Sequence, residues 1–175
     1  TEACSLAVGS VNPCPLAQAF PLPTQLGSIR VLFNGIPAPL QLVTPNQINA
    51  VVPFELSWSP VTVVVIRGTA SSLPVRVPLA SQSMGILTVL GNGQGAGIVL
   101  HADGRLVSRS APVQPNEVVV IYCLGMGPVS PPVPSGMPAG PGLSETTIPM
   151  RVFFDGSEGR IQFSGLAPGY AGLYQ

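Results

Sequence analysis

The sequence predicts an all-β protein with two β-sandwich domains in tandem, and three observations predict it. Its 175 residues include 20 Gly and 21 Pro, a density that interrupts helices. Short runs of β-branched and apolar residues recur along the chain, separated by turn residues. The spacing of these runs is typical of β-sandwiches. We expect an N-terminal extension (1–21), a first sandwich (22–80) and a second sandwich (81–175).

The strands expected in the first half are apolar segments bounded by Gly, Pro or Asn: Ile29–Phe33, Leu40–Val43, Ile48–Pro53, Val61–Ile66 and Leu73–Leu79. The second half has a similar set: Gly85–Leu90, Gly97–His101, Arg105–Val107, Glu117–Leu124, Met150–Phe154 and Arg160–Ser164. Residues 127–142 contain six Pro and predict an extended, polyproline-like loop without internal hydrogen bonds. An alternative role for this loop is as a ligand of a proline-recognising groove.

An internal repeat links the two halves. Residues 30–35 (RVLFNG) match residues 151–156 (RVFFDG), and 40–42 (LQL) match 161–163 (IQF). The first copy continues through Gln47 into a strand, whereas the second reaches Tyr174-Gln175 and stops. We therefore expect the second sandwich to lack a strand and to leave an open groove. The alternative is that this strand lies beyond the sequence.

The groove is expected beside the last residues of the chain, at Ile161, Phe163, Leu173 and Tyr174. A donor strand for it is Ala3–Val11, in which Cys4, Leu6 and Val8 alternate onto one face. The donor could come from the same molecule or from a neighbour, and a neighbour's donor would build a head-to-tail filament.

The cysteines bear on the compartment of the protein. Cys4 and Cys14 lie close together in a Pro-, Ser- and Gly-containing segment, and they are a candidate disulfide in an oxidising compartment. The alternative is that all three cysteines are reduced thiols. Because the chain begins with Thr1 and shows no signal peptide, it resembles a processed, secreted product.

Charge and hydropathy exclude several classes of protein. Charged residues make up 8% of the chain, the net charge is zero, and all seven basic residues are Arg. A nucleic-acid-binding protein needs a basic surplus, so none is expected as a partner. No apolar run is long enough for a transmembrane helix. A surface with so little charge favours self-association, so the expected partner is a second copy.

No catalytic constellation is expected, and no cofactor or metal. His101 is interpreted as an exposed residue beside a turn, and Gly91–Gly97 as a flexible turn or bulge. Asp155 and Glu158 are interpreted as solvated turn acids rather than as a calcium site. Trp58 and Tyr170 are candidate ligand or interface aromatics, since loop aromatics stack on sugar rings or anchor interfaces.

Four segments together resemble a known family: FNGIPAPLQLVTPNQINAVVPFEL, ADGRL, VVVIYCLGMGPVSPPVPSG and GLAPGYAGLYQ. They are similar to the Solibacter-type uncharacterised C-terminal domain of secreted acidobacterial proteins, over roughly residues 22–175. The resemblance implies Ig-like (IPT/TIG-like) sandwiches and no established enzymatic role. It also implies one more Val-alternating strand after the Tyr-Gln position, in agreement with the repeat.

The sequence therefore predicts a non-enzymatic, extracellular or cell-surface structural protein. Its subunits are expected to polymerise by β-strand complementation. The alternative is a carbohydrate-binding or adhesion module of a secreted protein, for which Trp58 and Tyr170 would supply the aromatic contacts.

Overall fold

The computed structural model describes residues 16–57 and 59–175. Within these residues the protein is all-β, with several small antiparallel sheets and no helix. The predicted fold class is thus confirmed at the level of an all-β chain. No helix with the length and apolar character of a membrane span occurs in the part of the chain that the structure describes.

The chain divides into two compact units. Unit 1 comprises Thr1–Ala80 and Pro134–Pro138, and unit 2 comprises Ser81–Val133 and Ala139–Gln175. Each unit has its own cluster of buried apolar side chains.

Unit 1 contains seven strands within the described residues: β1 (Ile29–Phe33), β2 (Ile36–Pro37), β3 (Leu40–Val43), β4 (Ile48–Ala50), β5 (Val61–Arg67), β6 (Ala70–Ser71) and β7 (Val75–Val77). One sheet has the order β2-β1-β5-β6, with β7 also paired to β5, and β3 pairs separately with β4. The predicted strands β1 and β3 are confirmed with the same bounds. The core of the unit joins these two sheets through Val31 of β1 and Leu40 of β3.

Unit 2 contains eight short strands within the described residues: β8 (Gly85–Ile86), β9 (Val99–His101), β10 (Val119–Ile121), β11 (Cys123–Leu124), β12 (Val129–Ser130), β13 (Glu145–Thr146), β14 (Val152–Phe154) and β15 (Ser157–Gly159). They form antiparallel pairs: β9 with β10, β8 with β11, β12 with β13, and β14 with β15. A core of six buried residues includes Cys123, Leu166 and Tyr174.

Three expectations for unit 2 were wrong in detail. The run Glu117–Leu124 is divided at Tyr122, because the chain pairs first with β9 and then with β8. Arg105–Val107 forms only a single bridge, between Leu106 and Leu100. Arg160–Ser164 is not a strand: β14 pairs instead with Ser157–Gly159, and Ile161 and Phe163 make no backbone hydrogen bond among the described residues.

The prediction of a 127–142 loop without internal hydrogen bonds was also wrong. Val129–Ser130 pairs with β13, and the Met137 N–H donates to the Pro134 carbonyl at 3.0 Å. Pro134–Pro138 belongs to unit 1, where the Leu22 N–H donates to the Gly136 carbonyl at 2.8 Å. Gly136 has a φ of +82°, and a Cβ there would lie 2.9 Å from the Pro39 ring. Gly is therefore required at this close approach.

Candidate strand-docking site

The C-terminal residues of unit 2 lie between two segments of backbone. Tyr174 forms antiparallel bridges with Cys123 on one side and with Leu166 on the other. The N–H groups of Tyr174 and Cys123 each donate to the other residue's carbonyl at 2.9 Å. Gln175 and Gly165 exchange a second such pair, at 2.8 and 3.0 Å. Residues 174 and 175 therefore have a hydrogen-bonded backbone neighbour on each side, as a strand in the interior of a sheet has.

A similar contact occurs in unit 1, where the repeat equates Thr44 with Gly165. The Thr44 N–H donates to the Gln47 carbonyl at 2.8 Å. In unit 2, the Gly165 N–H donates to the Gln175 carbonyl in the same way. In unit 1, the next residue after Gln47 is Ile48, which begins β4 and pairs with Val43. By the repeat, the equivalent of Val43 is Ser164. The place that β4 occupies in unit 1 therefore corresponds, in unit 2, to the side of Ser164 opposite Thr146, whose N–H donates to the Ser164 carbonyl at 2.8 Å.

Backbone polar groups of β10 face that space on one side. Successive residues of a strand direct their N–H and C=O groups to opposite edges. The backbone of Cys123 bonds Tyr174, whereas the N–H of Tyr122 bonds Ile98 on the opposite edge. By this alternation, the backbone N–H and C=O groups of Ile121 and Val119 point to the same side as those of Cys123.

On the other side, Gly165 bonds Gln175, and the preceding residues 161–163 are not a strand, since the chain bends at Gln162. Among the described residues, the backbone groups of Ile161 and Phe163 make no backbone hydrogen bond. We call the space between Val119–Ile121 and Ile161–Phe163 the strand slot.

Tyr174 fixes the inner end of the strand slot. Its side chain is 3% exposed and packs in the core of unit 2. Its hydroxyl donates to the Gly127 carbonyl at 2.6 Å. Burial raises the pKa of Tyr174 to about 12, so the phenol is neutral at physiological pH and remains a donor. Tyr174 is therefore held by backbone pairing on both sides, by burial of its ring and by one side-chain hydrogen bond.

Of the four predicted groove residues, Ile161 and Phe163 belong to the strand slot, Tyr174 lies at its inner end, and Leu173 instead pairs with Ala167. Tyr174 is buried, Phe163 and Leu173 are half-buried, and Ile161 is 36% exposed. Phe163 and Ile161 line one edge, while Leu173 accepts the Ala167 N–H at 2.8 Å. That these residues accept a strand stays a prediction.

The remaining predicted sites fall mainly outside the described residues. The proposed donor residues Cys4, Leu6 and Val8, the proposed Cys4–Cys14 disulfide and Trp58 all lie there. Tyr170 is described, and its side chain is 52% exposed. The carbohydrate-binding alternative stays a prediction, to be tested by comparing wild type and Trp58→Ala on a glycan panel.

The interpretation of His101 as an exposed residue was wrong. Its side chain is buried, with Nδ1 against Glu117 Oε1 and Nε2 3.1 Å from the Ala111 carbonyl oxygen. Both partners are acceptors, and a neutral imidazole donates from only one nitrogen. The site therefore fits an imidazolium, and the hydrogen bond to Glu117 raises the pKa of His101. Glu117 is 16 residues away, and no local sequence signal links the two.

Two further groups of unit 2, Glu158 and Cys123, have structural roles. The Arg151 guanidinium donates two hydrogen bonds to the Glu158 carboxylate, so Glu158 is not simply a solvated turn acid. Cys123 is buried, and burial raises the pKa of its thiol, which disfavours the reactive thiolate. Within residues 16–57 and 59–175, no three His, Cys, Asp or Glu side chains are grouped as metal ligands would be.

In comparisons with known proteins, no family model, no curated protein and no solved structure matches this chain. The resemblance to the Solibacter-type domain accordingly stays a prediction, and function has to be argued from the geometry.

Proposed function

We propose that this chain is a non-enzymatic structural subunit of an extracellular assembly, and that copies join by β-strand addition at the strand slot. One observation carries the proposal: β4 pairs with β3 at this place in unit 1, whereas in unit 2 no strand among the described residues pairs with Ile161–Phe163. In this proposal both units are Ig-like sandwiches, and the second is completed by a strand from another copy.

The chemistry of the strand slot favours a peptide strand over other ligands. The β10 side offers N–H and C=O groups at the spacing of a β-ladder, and the backbone groups of Ile161 and Phe163 are without a backbone partner among the described residues, so a peptide strand would find hydrogen-bonding groups on both sides. In unit 1 the strand at this place turns Ile48 and Ala50 toward the core. An inserted strand therefore needs apolar residues at alternate positions.

The proposed donor is Ala3–Val11, in which Cys4, Leu6 and Val8 provide that alternation. Donation from one copy to the next is a heterologous contact, which yields a filament unless it closes into a ring. The chain carries only 8% charged residues and no net charge, so repulsion between copies is weak. A Cys4–Cys14 disulfide would fix the shape of the donor, and secretion would provide the oxidising compartment.

The first experiment fills the strand slot within the chain. A variant carries a second copy of the sequence of Ile48–Pro53 directly after Gln175, because β4 directly follows Gln47, which accepts the Thr44 N–H as Gln175 accepts the Gly165 N–H. The control has the same extension with both inward residues, the copies of Ile48 and Ala50, replaced by Asp. Size-exclusion chromatography with light scattering and negative-stain electron microscopy measure assembly.

We expect the unmodified chain and the Asp control to form multimers, and the complemented variant to be monomeric. Deletion of residues 1–11 should also give monomers, and it retains Leu16, which bridges to Leu42. A monomeric unmodified chain, or multimers that persist when the strand slot is filled, would overturn the proposal. If the deletion variant still forms multimers while the complemented variant is monomeric, the strand slot is confirmed as the contact and the assignment of Ala3–Val11 as the donor is wrong.

A further inference from the structure

The hairpin of β14 and β15 in unit 2 repeats the hairpin of β1 and β2 in unit 1. Both have an Asx-Gly turn with positive φ at both positions: 49° and 83° at Asn34-Gly35, and 49° and 80° at Asp155-Gly156. These values define the hairpin turn that matches the strand twist. The pairing register is also the same, with Phe33 opposite Ile36 and Phe154 opposite Ser157.

The two hairpins differ at their outer edges. In unit 1, β1 has β2 on one side and β5 on the other, and five residue pairs join β1 to β5. In unit 2, the only strand paired with β14 among the described residues is β15. Phe153 and Phe154 of β14 are 51% and 47% exposed, whereas their counterparts Leu32 and Phe33 are half-buried.

The backbone groups on the outer edge of β14 can be assigned from the turn. A two-residue hairpin turn is closed by a hydrogen-bonded pair, here Phe154 and Ser157, so these groups face inward. The groups of Phe153 and Asp155 then face outward. The counterpart of Asp155 confirms the direction in unit 1, since the Asn34 N–H donates to the Thr62 carbonyl at 2.8 Å.

Asn34 also holds β5 through its side chain. Its Oδ1 accepts the Thr62 N–H at 2.7 Å. Asn34 therefore bonds both the N–H and the C=O of Thr62 in β5. Asp155 presents a carboxylate at the same place in the repeat, and it makes no hydrogen bond among the described residues. A carboxylate oxygen accepts a backbone N–H at least as well as an amide oxygen.

We propose that the outer edge of β14 is a second docking site, which takes an extended, β-branched peptide strand from a partner protein in antiparallel pairing. The Phe153 backbone and the Asp155 N–H and carboxylate are its hydrogen-bonding groups. β5 defines the chemistry of the partner strand: five of its seven residues are Val or Ile, and Thr62 meets the turn. This site uses residues different from those of the strand slot and does not depend on the proposed assembly.

The probe is a peptide with the sequence of residues 60–69 (PVTVVVIRGT), fluorescein-labelled and extended by two Lys for solubility. Fluorescence anisotropy measures its binding to the full chain. Asp155→Gly and Asp155→Asn are the matched variants, because both residues tolerate a φ of 49° and only Asn keeps an acceptor oxygen. A third variant, Phe153→Pro, removes an outward N–H and leaves the inward pairs of the hairpin intact.

We expect the wild type to bind the peptide, Asp155→Asn to bind within twofold of it, and Asp155→Gly to bind about fivefold more weakly, as the loss of one hydrogen bond predicts. Phe153→Pro should abolish binding. The variant with Ile48–Pro53 appended after Gln175 should bind as the wild type does, which separates this site from the strand slot.

Absence of binding to the wild type would overturn the proposal. Binding that is unchanged in both Phe153→Pro and Asp155→Gly would also overturn it, because the peptide would then occupy the strand slot or the place of β5 in unit 1. If Phe153→Pro instead reduces the multimer size while no peptide binds, the edge pairs with a second copy and the proposed partner is wrong.

Discussion

Removal of one oxygen from Tyr174 tests the ladder on which the strand slot depends. In Tyr174→Phe the ring stays in the core, but the Gly127 carbonyl loses a donor at 2.6 Å. A net hydrogen bond contributes about 0.5–1.5 kcal/mol to the free energy of unfolding. Gly127 is half-buried, so water replaces the lost donor only in part, and we expect a loss of about 1–1.5 kcal/mol.

Differential scanning calorimetry measures the effect as a shift in Tm. For a chain of this size, 1 kcal/mol corresponds to about 2–4 °C, so Tyr174→Phe should lower Tm by about 2–6 °C. The matched control is Tyr170→Phe, at an exposed tyrosine with no recorded side-chain hydrogen bond among the described residues. Its effect should stay within about 0.5 kcal/mol. Equal shifts for the two variants would refute the reasoning.

The pH dependence of stability gives the same test a second readout. The pKa of Tyr174 is raised to about 12 by burial, above the ordinary value near 10. A group whose folded pKa is raised stabilises the fold fully below its unfolded pKa and ceases to do so as pH rises through the folded pKa. Wild-type stability should therefore fall between pH 10 and 12, and this part of the fall should disappear in Tyr174→Phe.

Two further predictions concern other hydrogen-bonded groups. His101 is the only histidine, so its NMR titration needs no assignment; we expect a pKa above the ordinary value, and a lower one in Glu117→Gln. Since the folded pKa is raised, stability from this pair should be complete below about pH 6.5 and decline as pH rises through the folded pKa. An unchanged pKa in Glu117→Gln would contradict the pairing. In unit 1, Ser135 Oγ accepts the Phe54 N–H at 2.8 Å and donates to the Glu55 carboxylate at 2.7 Å. Ser135→Ala removes both hydrogen bonds, so it should lower the free energy of unfolding by about 1–2 kcal/mol, measured by urea titration. An effect no larger than that of Ser110→Ala, an exposed serine of unit 2, would count against these contacts.

The sequence was most informative where the local pattern and the tertiary environment favour the same conformation. β1 and β3 have their predicted bounds because apolar runs are delimited by a Gly turn and Pro residues. The Asx-Gly turns were also predictable, since few residues other than Gly and Asn or Asp adopt positive φ.

Long-range pairing could not be read from the pattern. Arg160–Ser164 alternates like Leu40–Val43 of unit 1, yet β3 is a strand because β4 pairs with it, whereas Ile161 and Phe163 make no backbone hydrogen bond among the described residues. His101 was misjudged for a related reason. Its burial depends on Glu117 and Ala111, which reach it only through the pairing of β9 with β10.

The two proposed docking sites of unit 2 correspond to consecutive elements of unit 1. β4 occupies the place equivalent to the strand slot, and β5, the next strand in the chain, covers the outer edge of β1. One continuous segment therefore supplies both strands in unit 1, and a copy of that segment joined to the chain should cover both proposed sites in unit 2.

The longer extension tests this directly. We expect the sequence of residues 48–67 appended after Gln175 to abolish both assembly and binding of the 60–69 peptide, whereas Ile48–Pro53 abolishes assembly alone. The longer extension should also raise Tm further, because it would bury Phe153 and Phe154 as β5 buries Leu32 and Phe33. If peptide binding survives in the longer variant, the outer edge of β14 is not the equivalent of the outer edge of β1, and the hairpin repeat does not extend to its partner strand.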